Sequence, residues 1–202
     1  MNQNFWDKVY TVKTEKEVSW FQERPTKSLS LIAEFSLPKN AAIIDVGGGD
    51  SRLVDHLLNE GYSDITVLDI SDVSLQKLKT RLGDTLNKVK YVTSDVVAFR
   101  SQTQFDLWHD RAAFHFLTNQ DQINQYLEIV NSSLRSGGHL ILSTFSKNGP
   151  EKCSGLPIHQ YSDTELKSLF AKDFKNTKCF EDNHTTPWGA TQSFVYCVFQ
   201  KR

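Results

Sequence analysis

Ala41-Ala42-Ile43-Ile44-Asp45-Val46-Gly47-Gly48-Gly49-Asp50-Ser51-Arg52 is the stretch whose reading decides the fold. An apolar run ends in an acidic residue and breaks into three glycines. The pattern then turns helical, with Leu53, Val54, Leu57 and Leu58 on one face and Gly61 as its stop. Strand, glycine turn and helix in that order open a nucleotide-binding βαβ unit. Glycine is needed in the turn because a Cβ would block close approach of backbone to ligand. Twenty residues after Gly49, the run Ile65-Thr66-Val67-Leu68 reads as a second buried strand, and it ends at Asp69. An acid at that strand tip is placed to accept hydrogen bonds from both ribose hydroxyls of an adenosine.

A dinucleotide fingerprint has a third glycine three residues after the second, and here Arg52 holds that place. Carboxylates at Asp45 and Asp50 would also repel a pyrophosphate lying on the helix N-terminus. They suit a ligand with positive charge, such as the sulfonium and ammonium of S-adenosylmethionine. At these residues the chain resembles the class I S-adenosylmethionine-dependent methyltransferases. Asp45-Val46-Gly47-Gly48-Gly49 looks like their first motif, with Ser51 where a further glycine is common, and Asp69 resembles their ribose acid. The resemblance implies an α/β fold: a single doubly wound, mostly parallel seven-stranded sheet with a closing antiparallel hairpin. It implies S-adenosylmethionine as cofactor and S-adenosylhomocysteine as product, held by Asp45, Gly47, Gly49, Asp69 and its neighbour Ile70. The implied reaction is methyl transfer to a small or mid-sized nucleophile. A protein-lysine methyltransferase of the same fold and a cofactor-binding scaffold without chemistry are the alternatives. A dehydrogenase is disfavoured by Arg52, by the acids around the glycines and by the closing hairpin.

The 202 residues suit one α/β domain, residues 1–202, with 1–38 as a helical lid segment and 39–202 as the core. A chain of this size buries about 70% of its unfolded surface. The net charge of −1 offers no electrostatic footprint for nucleic acid or an anionic membrane. No apolar run is long enough to span a bilayer, and the N-terminus lacks a signal-peptide core. Cys153, Cys179 and Cys197 are widely spaced and form no metal-ligand pair, so no metal site is expected. A reducing cytoplasm is the simplest home. The expected partner is a small-molecule or protein substrate, and no feature sets an oligomeric state.

Before the first strand, Phe5, Trp6, Val9 and Tyr10 mark a short amphipathic helix. A second helix starts near Pro25, with Leu29, Ile32 and Phe35 inward. Trp6 and Tyr10 read as caps on one sheet edge. Trp20 is the functional candidate, because in the resembling family such a segment folds over the cofactor. After Asp69 a helix from about Asp72 to Leu82 stops at Gly83, and Lys90-Tyr91-Val92-Thr93 is a third strand. The resemblance assigns Asp95 to the adenine amino group and Val96 to the face of its ring, with capping of the turn as the other role for Asp95.

Phe105-Asp106-Leu107-Trp108-His109 is the fourth strand, running into Asp110-Arg111-Ala112. Ligands of doubly wound sheets sit at the carboxyl ends of central strands. The segment resembles the Asp-Arg-Gly or Asp-Lys-Gly of thiopurine-type and some protein-lysine methyltransferases, with Ala112 in place of glycine. His109, Asp110 and Arg111 are therefore the catalytic candidates, and His109 also stands near the cofactor. His109 reads as a base, a substrate donor or a satisfied strand-end histidine; Asp110 pairs with Arg111 or orients His109. A helix from Asp121 through Leu134 is ended by Gly137 and Gly138, and His139 to Phe145 is the fifth strand. The box Ser162-Asp163-Thr164-Glu165 starts a further helix, and Phe174–Phe180 and Gln192–Phe199 form the closing hairpin. Cys153, His159, His184 and Trp188 lie on segments that could open onto one pocket.

Overall fold

The computed structural model describes residues 2–202. Among them, seven strands form one sheet: β1 (Ala42–Val46), β2 (Asp64–Asp69), β3 (Val89–Thr93), β4 (Phe105–Arg111), β5 (Leu134–Phe145), β6 (Phe174–Thr185) and β7 (Thr191–Lys201). Their order is β3-β2-β1-β4-β5-β7-β6. The first five strands run parallel, β7 runs antiparallel between β5 and β6, and β6 is thereby parallel to β5. The strand order reverses at β1, next to β4, where such sheets open a crevice for ligands.

Side chains alternate across each strand. Ile43, Ile65, Val67, Leu107 and Ile141 face a layer built from α2 (Thr26–Glu34), α3 (Leu53–Asn59) and α4 (Asp72–Leu82). Ile44, Val46, Trp108, Leu140 and Leu142 face α5 (Gln120–Ser133) and α6 (Asp163–Phe170). The helix ends are specified locally. The Ser71 hydroxyl caps α4 by accepting the Ser74 N–H at 3.2 Å, and Gly83, at φ 52°, ends it. Ser162 and Glu165 form the reciprocal capping box that opens α6.

One boundary moves. α5 stops at Ser133, and Leu134 is already extended at φ −85°, ψ 144°. Leu134 pairs with Phe105 of β4, so the strand begins well before His139. Gly138 serves a close approach there, since a Cβ on it would lie 2.9 Å from the Arg135 carbonyl oxygen.

The cysteine reading is also corrected. The register of the closing hairpin sets Cys179 opposite Cys197 with Cα atoms 4.2 Å apart, and the two form a disulfide. Eighteen residues of separation hide this pairing in the sequence, and it runs against the expectation of a reducing home. Among the described residues no helix is long and apolar enough to cross a membrane.

Past the end of β4, Ala112 sits in the left-handed region at φ 72°, where the resembling segment has glycine. An L-residue there costs about 1–2 kcal/mol, while glycine loses roughly 0.4–1 kcal/mol through its freer unfolded chain. Ala112→Gly is therefore expected to stabilise the fold by about 0.5–1 kcal/mol. Equilibrium urea unfolding checks this; a loss of stability would contradict it.

Candidate active site

The end of β4 divides its chemistry between two faces. His109 pairs in register with Asp45 of β1, and both point to the α2 side. His109 Nδ1 lies 2.7 Å from Asp45 Oδ1, and Nε2 lies 2.8 Å from the Ser28 hydroxyl of α2. Both ring nitrogens are thus engaged, and only 3% of the residue is exposed. Asp110, one residue on, points the opposite way. It accepts the Tyr126 hydroxyl at 2.7 Å and the Ala113 and Phe114 N–H groups at 3.0 and 3.2 Å, and Trp108 donates to Tyr126 at 3.1 Å. Burial pushes the Asp110 carboxyl up to about 6. This corrects the expectation that Asp110 orients His109 or pairs with Arg111, because a period of two places them on opposite faces. Arg111 returns to the His109 face.

A cavity with about 630 Å³ of empty space lies above the carboxyl ends of the strands. One end is walled by Gly47, Asp69, Ile70 and Val96, the other by Trp6, Trp20, Phe116 and Cys153, with Arg111 between. Trp6 meets Trp20 and Phe116 edge-on at centroid distances of 5.9 and 5.1 Å, and Tyr10 meets Trp20 at 6.2 Å. Trp6 and Tyr10 therefore line the site rather than cap a sheet edge. Sequence periodicity shows that their helix, α1 (Gln3–Val12), has an inner face but not what that face covers. The segment is held by polar contacts. Asp7 accepts the Ser71 hydroxyl at 2.7 Å, Arg52 grips Glu15 through two 2.8 Å bonds, and His184 Nε2 lies 2.6 Å from the Ser19 carbonyl oxygen.

The glycine turn packs against protein as well as facing the cavity. A Cβ on Gly47, at φ 64°, would come within 2.6 Å of the Ala113 Cβ, and one on Gly49 within 2.6 Å of the Tyr10 hydroxyl. Arg81 of α4 clamps the loop, donating to the Asp50 and Ser51 carbonyls at 3.0 and 2.7 Å and pairing with the Asp50 and Asp55 carboxylates. Asp50 is thus already countered by an arginine, whereas Asp45 keeps one buried oxygen, Oδ2, without a partner. Asp69 accepts the Ser71 N–H at 2.7 Å, and burial pushes its carboxyl up to about 7, with the charge of Asp45 adding to the shift. Asp95 accepts the Val97 N–H at 3.2 Å as a turn cap, while its neighbours Ser94 and Val96 line the cavity.

The remaining candidates do not share one pocket. Cys153 lines the cavity, His159 stacks on Tyr161 at 4.3 Å, His184 braces Ser19, and Trp188 is 59% exposed. The hairpin connector does open on the same edge, but it extends past the cavity.

A family model described as a methyltransferase domain matches residues 44–140. The chain is 22% identical over 185 residues to the eEF1A lysine and N-terminal methyltransferase of Bos taurus, covering 84% of this chain and 26% of that protein. It is 28% identical over 146 residues to malonyl-[acyl-carrier protein] O-methyltransferase 1 of Ilyobacter polytropus, covering 72% and 52%. A tRNA U34 carboxymethyltransferase of Shewanella halifaxensis matches at 22% identity, covering 91% and 59%. The chain thus spans about a quarter to three-fifths of the length of these relatives. Among solved structures, the 1,6-didemethyltoxoflavin-N1-methyltransferase of Burkholderia thailandensis, with bound S-adenosylhomocysteine, superimposes with a TM-score of 0.70 at 20% identity, covering 98% of this chain and 83% of that one. That likeness shows the fold.

Asp69 makes stability depend on pH. Its folded value, about 7, lies above the ordinary 3.8, so its contribution is full below about 4 and is lost as pH rises through 7. The loss on this account is roughly 4 kcal/mol at most. Asp69→Asn keeps the acceptor for Ser71 and removes the titration. Urea unfolding from pH 4 to 8 should show the parent losing stability relative to the variant, and parallel profiles would refute the shift.

Proposed function

We propose that this class I S-adenosylmethionine-dependent methyltransferase moves a methyl group from its cofactor to a small or mid-sized nucleophile held beneath Trp6 and Trp20. The observation that carries the reading is one continuous cavity, with an acid and apolar walls suited to a nucleoside at one end and an aromatic chamber at the other. The residues present fit the cofactor. Asp69 would accept the ribose hydroxyls, Ile70 and Val96 would hold the adenine, and Asp95 would receive its amino group. The unpartnered Oδ2 of Asp45, beneath Gly48 in the adjoining cavity, would receive the ammonium. When bound, S-adenosylmethionine supplies an electrophilic methyl carbon, whose bond to sulfur breaks as the acceptor lone pair attacks in line.

The chain's own part is placement. His109 fixes the Asp45 carboxylate and, with both nitrogens engaged, acts as a positioning residue rather than as the base. A proton on the acceptor therefore leaves to water, before or after transfer. Trp6, Trp20 and Phe116 exclude bulk solvent and limit the acceptor's orientations, which is where most of the acceleration arises in such a displacement. The helical segment that ends at residue 38 is the lid in this reading.

The Ilyobacter relative, named for malonyl-[acyl-carrier protein], supports a mid-sized acceptor. The bovine relative's name supports the second reading, a protein lysine. The expectation of no nucleic-acid partner finds no support, because one relative is named for tRNA. Cell extract divided into small molecules, protein and RNA, each assayed for S-adenosylhomocysteine release, separates these acceptors; no release from any fraction would overturn the activity.

Asp69→Ala should weaken S-adenosylmethionine binding about tenfold to a hundredfold, the worth of a charged acceptor to two hydroxyls. Calorimetry showing unchanged affinity would remove the ribose assignment. Deleting residues 1–24 should leave a folded protein with poor turnover, because every strand comes later. Parental turnover by the truncated chain would refute the lid, and failure to fold would make Trp6 and Tyr10 core residues.

A further inference from the structure

Arg111 ends β4 and points across the sheet toward the closing hairpin. Its Nη1 donates to the Trp20 carbonyl at 2.9 Å, and its guanidinium lies over the Phe194 ring of β7, 5.3 Å from the centroid. Nε and Nη2 are buried and donate to nothing among the described residues. These two N–H groups share one edge of the guanidinium, the fork that grips a carboxylate through two parallel hydrogen bonds. Among the described residues no carboxylate lies at salt-bridge distance from Arg111, although Asp45 lines a neighbouring cavity with it. Burial pushes the His115 imidazole down to about 3 and the Cys153 thiol up to about 11, so both are neutral near pH 7. Burial also lowers His184. A desolvated guanidinium without an anion is costly, and a ligand that brings one removes that cost.

We infer that Arg111 is the anion subsite of the methyl acceptor, taking its carboxylate through Nε and Nη2, so that the substrate class is a compact carboxylic acid. The inference rests on the methyltransferase reading above and names the acceptor for it. The cofactor also carries a carboxylate, so the same chemistry has two sources. Position favours the acceptor. Phe194 lies on β7, separated by β4 and β5 from the strands β1 to β3 whose ends hold Gly47, Asp69 and Val96. Trp6, Trp20 and Phe116 then enclose the acid's carbon skeleton, and the Nη1 bond to Trp20 ties occupancy of the fork to closure of the lid.

The test uses the full chain with S-adenosylhomocysteine, benzoate and benzamide as probes, read by calorimetry and by the change in total tryptophan fluorescence. Benzoate and benzamide have nearly the same shape and differ in charge. With S-adenosylhomocysteine bound, the parent should take benzoate at least tenfold more tightly than benzamide. Arg111→Gln should abolish that preference while holding S-adenosylhomocysteine affinity within twofold, which also shows that the variant is folded. Arg111→Lys, with a point charge in place of the fork, should restore only part of it. If Arg111→Gln weakens S-adenosylhomocysteine tenfold and leaves benzoate unaffected, the fork holds the cofactor and the acceptor assignment is overturned. Equal binding of benzoate and benzamide by a parent that binds S-adenosylhomocysteine normally overturns the inference alone. A parent that binds no S-adenosylhomocysteine overturns the methyltransferase reading with it.

Discussion

The buried chain Ser28–His109–Asp45 is the constraint on which the site depends. Asp45 is almost fully buried, and a carboxylate withdrawn from water is tolerated only when it is paired. His109 supplies the pairing from the neighbouring strand and is itself held by the hydroxyl of α2. Three segments distant in sequence are thereby set at fixed spacing around the glycine turn. The same bonds leave one Asp45 oxygen without a partner beneath Gly48.

Charge around the turn is sorted by distance from the ligand. Arg81 pairs with both Asp50 and Asp55, and Arg52 pairs with Glu15, so each outer acid has a cationic partner, although Asp50 and Asp55 share one. Asp45 and Asp69 are not matched by any arginine or lysine at salt-bridge distance among the described residues. Arg111 stands between the two ends of the cavity, with Nε and Nη2 lacking a partner among the described residues. The cavity therefore carries a buried acid at one end and a guanidinium at its middle. Its aromatic walls lower the local dielectric and so strengthen both fields.

Much of the sheet was legible because its signals are local. Apolar alternation located the strands, and Ser71, Gly83 and the Ser162–Glu165 box marked helix ends within a residue. The acid at the tip of β2 follows from spacing alone. What escaped was whatever depends on a partner far along the chain. Trp6 and Tyr10 show a helical stripe but not the cavity beneath it. Cys179 and Cys197 become partners only through hairpin register. His109 and Asp110 look like one catalytic pair in sequence, yet pleating sends them to opposite faces.

The amino-acid sequence by itself determined the βαβ opening, the order of the elements and the acids at the glycine turn and the tip of β2, because periodicity, turn chemistry and charge act over a few residues. Only the tertiary structure decided that both His109 nitrogens are engaged, that Trp6 and Tyr10 of α1 line the cavity, and that two buried Arg111 N–H groups are left without a partner among the described residues. Each of those follows from which groups are left without a partner once the chain is packed, and hydrogen-bond satisfaction is a property of the whole fold.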